Sequence, residues 1–549
     1  MITSVSLRRW QRRALEQFSA KGTSDFLAVA TPGAGKTTFA LAAARIGLGG
    51  DPSRRLIVVA PTQHLKTQWA DAAAGFGLHL SPEWSSSSGR LPADTHGVVV
   101  TYQQVASSSA ALRTLVNGAF VVFDEVHHAA DDRAWGEGLR QAFEPAQQRL
   151  SISGTPFRSD TSAIPFVTYD HMEEARADYE YGYGEALVDG GVVRPVFFPR
   201  INGHMEWAAP DGSIHAHTFD DPIAIEKANQ RLRTALSVEG EWLPNVLGQA
   251  NDRLKEIRAD HPDAGGLIIA ADQEHAREIS AMLRDRFGTS SVVVLSDDPN
   301  ASARISSFAS GTEPWIVAVR MVSEGVDIPR LRVGVYATVT TTELFFRQAV
   351  GRLVRWSGTD DERAYLFIPD DHRLRSHASN IAEQRRHSLR KREQDREGLA
   401  LPSADLDAVR ADGDAEQLSM FDALSSVATD QDVTSVFSNG FAERWGGVAA
   451  EISTVEIDLA PPPPLPGLAE ALAGGGSVVD VRDRRRIRKD LKERNGLRVR
   501  ELVRSTGWAH AQVNSELNRL AGIDRIDEAT LAQLERRIAE ADKWLTRAG

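Results

Sequence analysis

The stretch Ala30-Thr-Pro-Gly-Ala-Gly-Lys-Thr37 constrains this chain more than any other. A short apolar run, Phe26 to Val29, leads into it, and a helix-compatible segment, Thr38 to Ile46, leads out. Gly33 and Gly35 allow the backbone to curl so that its N–H groups converge, and a helix N-terminus directly behind them adds positive potential. Such a strand, loop and helix is a phosphate cradle. Lys36 is placed to neutralise β- and γ-phosphates, and the Thr37 hydroxyl to ligate Mg²⁺. Thr31, Pro32, Ala34 and Thr38 complete the loop around a nucleoside triphosphate. Ala30 stands where the usual pattern has its first glycine.

The cradle is one unit of a longer series. Apolar, β-branched runs at 27–30, 56–60, 98–101, 120–123 and 150–153 alternate with helix-like stretches. The same alternation returns at 267–271, 292–295, 316–319, 333–337 and 364–368. Continuous apolar strands interleaved with helices predict buried parallel sheets, so the fold class is α/β, with two doubly wound sheets and a small C-terminal helical domain. Only the first sheet carries the phosphate loop. The expected domains are 1–221, the nucleotide-binding lobe with a Tyr- and Gly-rich connector, and 222–375, the second lobe. They are followed by 376–476, a charged helix, an acidic segment and a Pro/Gly linker, and by 477–549, a basic helical domain. Pro461 to Pro466 reads as a stiff spacer, and Gly474 to Gly476 as a flexible one.

Composition narrows the setting. The chain has 549 residues and no cysteine, which excludes disulfides, cysteine-ligated zinc and thiolate-held iron–sulfur clusters and fits a reducing cytoplasm. No apolar run approaches the length of a membrane span, and residues 1–10 lack the apolar centre of a signal peptide. A net charge of −12 argues against a nucleic-acid-coated protein, yet residues 481–549 hold 17 Lys/Arg against 11 Asp/Glu, a local basic surface.

Further motifs make the nucleotide site specific. Asp124-Glu125-Val126-His127 follows the strand Phe120 to Phe123, at the strand end where ligands sit in such sheets. Asp124 suits Mg²⁺, Glu125 suits a general base for the attacking water, and His127 suits a relay of nucleotide state. Asp124 and Glu125 also suit a plain helix start. Ser153-Gly154-Thr155-Pro156 ends the last strand of the first series. Gln348-Ala-Val-Gly351-Arg352-Leu-Val-Arg355 places Arg352 and Arg355 on one helical face, as arginines that could reach a γ-phosphate, or as a solvated charged face. Glu324-Gly325-Val326-Asp327 places Gly325 and Asp327 toward the same nucleotide.

These motifs, in this order over residues 1–375, resemble the superfamily 2 helicases, in the DExH-box branch with the repair helicase XPB, RadD-like bacterial proteins and restriction-enzyme motor subunits. Ala30–Thr37 resembles motif I, Asp124–His127 motif II, Ser153–Thr155 motif III, Gly325–Asp327 motif V and Gln348–Arg355 motif VI. Ala60-Pro61-Thr62 with Gln68 and Trp69 resembles motif Ia, Thr101-Tyr102-Gln103 motif Ib, and Ile269–Asp272 motif IV. Leu7 to Gln11 is similar to the adenine-reading Q motif, with Gln11 as the base reader. The resemblance implies two RecA-like lobes, ATP and Mg²⁺ as cofactors, and a nucleic-acid strand contacted by Pro61, Thr62, Thr101 and Thr340. DNA is favoured over RNA, in repair, replication or phage defence. A duplex translocase of a restriction or defence assembly, and a nucleotide-gated clamp, remain alternatives.

Two further segments suggest partners. Arg482 to Arg494 is strongly basic, and residues 499–520 read as helix–turn–helix with Leu502, Val503, Val513, Leu517 and Leu520 as core. Arg485, Arg488, Gln512, Asn514, Ser515, Asn518 and Arg519 are then candidate nucleic-acid contacts, or surface of a bundle that merely packs. Gln417-Leu418-Ser419-Met420-Phe421 resembles the peptide by which bacterial proteins dock on the sliding clamp, or an amphipathic turn.

Overall fold

The computed structural model describes residues 4–49, 51, 53–88, 91–130, 133–154, 163–169, 175–208, 213–295, 298, 300–319, 328–358, 362–398, 454–465 and 481–548. Its contacts divide the chain into two units. The first is Met1–Ala30, Gly35–Glu180 and Ser453–Gly549, and the second is Thr31–Ala34 with Tyr181–Ile452. Gly325, Asp327, Thr155 and the segment Gln417–Phe421 lie outside the described residues.

In the first unit a short strand β1 (Ser4–Arg8) leads into the helix Arg9–Lys21. The main sheet is built from β2 (Asp25–Ala30), β3 (Leu56–Ala60), β4 (Leu80–Ser81), β5 (Gly97–Thr101), β6 (Phe120–Asp124), β7 (Gln148–Ser153) and β8 (Tyr179–Tyr181), in the order β4-β5-β3-β6-β7-β2-β8. The strands from β4 to β2 run parallel, and both faces are covered by helices, which is why they read as unbroken apolar runs. Ile57 lies opposite Val98 and Val121, and these pack with Phe123, Leu139 and Phe143 in one core. Parallel pairing puts Ala30, Ala60, Thr101, Asp124 and Ser153 along a single edge of the sheet. That edge is where the chemistry-bearing residues gather.

The second unit repeats the design. Its strands are β9 (Val196–Phe197), β10 (Arg200–Ile201), β11 (His204–Ala208), β12 (Ile214–Thr218), β13 (Gly265–Ala270), β14 (Ser291–Val294), β15 (Trp315–Val319), β16 (Leu331–Ala337) and β17 (Ala364–Pro369). The parallel sheet runs β10-β17-β16-β13-β15-β14, with β9 also on β17, while β11 and β12 form a separate hairpin. Buried Trp315, Val317, Val335 and Leu283 centre its core. The expected boundary at 221/222 moves to 180/181. Residues of the supposed connector, β9 and β10, pair with β17 and so belong to the second sheet.

After the second unit the chain returns to the first. The strand β18 (Thr454–Asp458) pairs antiparallel with β1 over five residues. Pro461–Leu465 then lies on the first lobe and is not a free spacer. Arg45 donates to the carbonyls of Leu459 and Ala460, the His96 ring Nε2 meets the Pro463 carbonyl at 3.0 Å, and Pro462 sits against Gly77. The helices Val481–Thr506, His510–Ala521 and Leu531–Ala548 follow. They dock on the first lobe through Asp94, a buried carboxylate that accepts from Arg484, Arg488 and the Leu531 N–H. The basic domain is therefore an integral part of the first unit.

Candidate active site

The phosphate loop has the backbone that its glycines permit. Gly33 (φ 82°) and Gly35 (φ 89°) are both left-handed, and Gly35 is the residue from which the helix Lys36–Leu48 starts. A side chain on Gly35 would meet Gln11 Nε2 at 2.7 Å. Gln11 is buried, donates from Nε2 to the Gly35 carbonyl (2.9 Å), and accepts at Oε1 from the Arg8 N–H (2.8 Å). Its amide thus ties the start of the helix Arg9–Lys21 to the phosphate loop.

Glu125 is the hub of the site. It stands one residue past β6 with φ 48°, a left-handed backbone that costs a glutamate roughly 1–3 kcal/mol and marks a position fixed by its surroundings. One oxygen, Oε1, meets Lys36 Nζ at 3.0 Å. The other, Oε2, accepts from the Gly154 N–H (3.0 Å) and Ser153 Oγ (3.1 Å). His127 closes the ring, with Nδ1 3.1 Å from Ser153 Oγ and 3.7 Å from Glu125 Oε2. Burial alone would push the Glu125 carboxyl upward. Lys36, His127 and the Gly154 N–H outweigh it and hold the group well below the ordinary glutamate range. Lys36 also donates to the Ala30 carbonyl (3.3 Å), so the lysine is held inside its own loop.

Asp124, its neighbour, goes the other way. Burial, reinforced by the negative charge of Glu125, raises its carboxyl to about 6, against a partial offset from the Trp69 indole. Trp69 Nε1 donates to Asp124 Oδ2 at 2.7 Å, and the Tyr102 hydroxyl donates to the Asp124 carbonyl at 2.8 Å. Two adjacent carboxylates are thereby pushed apart in proton affinity, as acid/base sites require. Asp124 offers a buried oxygen ligand of the hard type that Mg²⁺ prefers, and Thr37, in the first turn of the helix, offers a hydroxyl. The donor set fits that ion.

In the second unit the helix Glu343–Leu353 carries Gln348 and Arg352, and Arg355 lies two residues beyond it. Within this unit, Gly351 faces Pro32 so closely that a Cβ would come within 2.6 Å of its Cγ, and a Cβ on Gly33 would lie 3.4 Å from Arg355 Cγ. A dry ion pair anchors the segment that holds Arg355. Arg194 and Glu362, 0% and 1% exposed in their side chains, meet at 2.9 Å. Arg194 also donates to the carbonyls of Pro329 and Leu331, its backbone N–H donates to Val354, and Val193 bridges Arg355. Glu362 accepts from the Ser357 N–H and hydroxyl.

The expected nucleic-acid contacts fare unevenly. Pro61 and Thr62 are half-buried where β3 gives way to the helix Gln63–Ala74, and Thr340 is half-buried just beyond β16. Thr101 is buried, its hydroxyl capping the helix Tyr102–Arg113 by accepting from Gln104 N–H. Arg488 is buried on Asp94 and the Ala529 carbonyl, and Arg485 bridges Asp71 and Glu83, so these guanidiniums serve docking. Asn514 and Asn518 hold buried Arg537, Gln512 caps its own helix, and Arg519 pairs with Glu516. Leu520, expected in the core, is exposed. A basic run is read as phosphate-binding only while its acidic partners, distant in sequence, are unseen.

Sequence reasoning noted Trp69 and Tyr102 as motif neighbours but not as Asp124's partners, and it missed the Arg194–Glu362 pair. The cue for the first was present: Trp69 falls on the inner face of an amphipathic helix directly after a strand ending at the same sheet edge.

Residues 4–158 match the family described as the type III restriction enzyme res subunit. Protein MT2985 of Mycobacterium tuberculosis (strain CDC 1551 / Oshkosh) is 41% identical over 97% of this chain and 92% of its own length. The DNA 3'-5' translocase XPB2 of Sulfurisphaera tokodaii is 22% identical over 64% of this chain and 79% of its own. Among solved structures, S. cerevisiae Dbp5 bound to RNA and ADP BeF3 aligns with a TM-score of 0.44 at 16% identity, over 69% of this chain and 87% of that one.

Proposed function

We propose that this chain, which belongs to the superfamily 2 helicases and to the same family as mycobacterial MT2985, is an ATP-driven DNA motor. The observation that carries the reading is the network in which Glu125 joins Lys36 to Ser153 and Gly154. Lys36 is the only cation on Glu125 besides a histidine among the described residues, and a phosphate would draw it away. A glutamate so released is half-buried beside Asp124, has a higher proton affinity than before, keeps the Gly154 N–H and Ser153 hydroxyl on one oxygen, and is within reach of a water. Bound Mg²⁺, on Asp124 and Thr37, would supply charge neutralisation at the phosphates. Lys36 and the loop N–H groups orient the triphosphate, Glu125 takes the proton from water, and the Ser153 hydroxyl and His127 register the loss of the lysine. Arg352 and Arg355, with Gln348, are the residues of the second lobe assigned to the charge that develops on the γ-phosphate. Gln11 reads nucleotide presence through the Gly35 carbonyl, and Gly325 and Asp327 belong to the same set.

The test is ATP hydrolysis with and without single-stranded, duplex and forked DNA and RNA, beside strand-displacement and triplex-displacement assays. Unwinding identifies a helicase. Triplex displacement alone identifies the duplex translocase, a reading favoured by the match of residues 4–158 to restriction subunits. Hydrolysis indifferent to every polynucleotide would end the proposal.

A further inference from the structure

The indole of Trp69 has a partner of a different kind from those of three other tryptophans. Trp207 donates from Nε1 to Gln230 Oε1 (3.0 Å), Trp242 to the Asn202 carbonyl (3.2 Å) and Trp315 to Asn251 Oδ1 (3.0 Å), all neutral acceptors. Trp69 donates to a carboxylate, Asp124 Oδ2, at 2.7 Å, the short contact expected when the acceptor carries charge. Both residues are buried, so water does not compete for either end.

The donor is held rigidly. Trp69 sits on the helix Gln63–Ala74, and Lys66, one turn earlier, donates to Gln104 Oε1 (2.9 Å) on the helix Tyr102–Arg113. That second helix starts at Tyr102, whose hydroxyl fixes the Asp124 carbonyl and whose ring stacks on Trp135, centres 6.4 Å apart at 15°. Asp124 is therefore gripped at its peptide and at one carboxylate oxygen, by two helices that are tied to each other. Among the described residues Oδ1 receives no hydrogen bond, and it is the oxygen left for a cation.

A carboxylate with one open oxygen is a one-point ligand. Mg²⁺ suits such a ligand, because it is small, keeps near-octahedral geometry and retains several waters. Ca²⁺ gathers more oxygens, often both of one carboxylate. We propose that Trp69 is a positioning and selectivity residue: by occupying Oδ2 it makes Asp124 a single-oxygen ligand and so favours magnesium over calcium at the nucleotide site. The inference rests on the reading of Asp124 as the magnesium ligand of an ATP site. Without the indole N–H, Oδ2 is released, the carboxylate can turn, and a two-oxygen mode opens to calcium.

The experiment uses the full chain and a fluorescent, non-hydrolysable ATP analogue, whose binding is titrated with Mg²⁺, with Ca²⁺ and in EDTA. In Trp69→Phe the half-saturating Mg²⁺ concentration should rise about three- to tenfold, the effect of one hydrogen bond, while that for Ca²⁺ stays level or falls. Affinity in EDTA should match the parent, which a collapse of the site would not allow. Trp84→Phe removes the same volume from the core that holds Tyr102 but takes no donor from Asp124, and should leave the ratio of the two ions at the parental value. In an Asp124→Asn background, Trp69→Phe should add nothing, since it acts through that carboxylate. Circular dichroism melts check that each variant folds, and Trp69→Met, which also lacks the donor, repeats the titration if the phenylalanine variant melts early. An unchanged ion ratio in Trp69→Phe, an equal loss for both ions, the same shift in Trp84→Phe, or a further shift on top of Asp124→Asn overturns the inference. If the parent then still requires magnesium through Asp124, the nucleotide site stands without it. Analogue binding indifferent to both ions, in the parent and in Asp124→Asn, removes the metal site and this inference together.

Discussion

An ion pair in each lobe, Lys36–Glu125 in the first and Arg194–Glu362 in the second, is built for an opposite purpose. Lys36 and Glu125 meet at 3.0 Å with 13% and 27% of their side chains exposed, while Arg194 and Glu362 meet at 2.9 Å with almost none. Distance does not separate them; water does. In the first pair the lysine would exchange its glutamate for a phosphate, because solvent and ligand can reach it. The second pins the carbonyls of Pro329 and Leu331, the Val354 carbonyl and the Ser357 N–H, and no ligand can compete for it. Burial raises the cost of charge, and lowers the Arg194 guanidinium to about 9, but it also makes the contact permanent. A switch and a rivet are thus distinguishable by exposure alone.

That distinction can be broken most sharply by rates. Lys36→Ala should abolish hydrolysis, with a loss of about 10³-fold or more, chiefly through weakened nucleotide binding. Glu125→Gln should lose about 10²–10³-fold while nucleotide affinity is retained and nucleic acid is trapped, as equilibrium binding beside single-turnover hydrolysis will show. Equal turnover in Glu125→Gln and the parent would mean the base is misassigned. Stability should rank the pairs in reverse. Glu362→Ala strands a dry guanidinium and should cost about 3–5 kcal/mol in a denaturant titration, whereas Lys36→Ala should cost less than about 1 kcal/mol.

A smaller effect concerns Asp124. Its carboxyl takes up a proton at about 6 in the folded protein, against 3.8 for an ordinary aspartate. Between those values the folded state binds more protons than the unfolded, so its contribution to stability grows as pH falls and disappears above pH 6. Without magnesium, Asp124→Asn should be at least as stable as the parent at pH 7 and should lose this part of the pH dependence in thermal melts. The smallest expected change is Trp69→Phe. Loss of the indole donor should raise the Asp124 proton affinity further and raise the magnesium concentration that half-saturates hydrolysis by about three- to tenfold.

The two sheets were legible because buried parallel strands are written as contiguous apolar residues, and the observed strands start and stop within a few residues of those runs. The phosphate loop was legible for a local reason too, since its glycines, lysine and threonine act through one stretch of backbone. Partnerships across long sequence distances were not. Arg194 and Glu362 give no periodic signal, Asp94 looks like any loop aspartate, and His96 gives no hint that it will seat Pro463. The proline run misled for the same reason. Its stiffness is intrinsic, but whether it spans a gap or lies on a surface depends on Arg45 and His96, more than 350 residues earlier.

The pairing of β1 with β18 has a consequence for how the protein is made. A ribosome delivers the nucleotide-binding lobe in two instalments, separated by the whole of the other lobe. Until Thr454–Leu465 emerges, Ser4–Arg8 lacks the strand it pairs with and Arg45 lacks the Leu459 and Ala460 carbonyls. Synthesis from the N-terminus ordinarily lets domains mature in order. Here the first lobe to be started is the last to be finished.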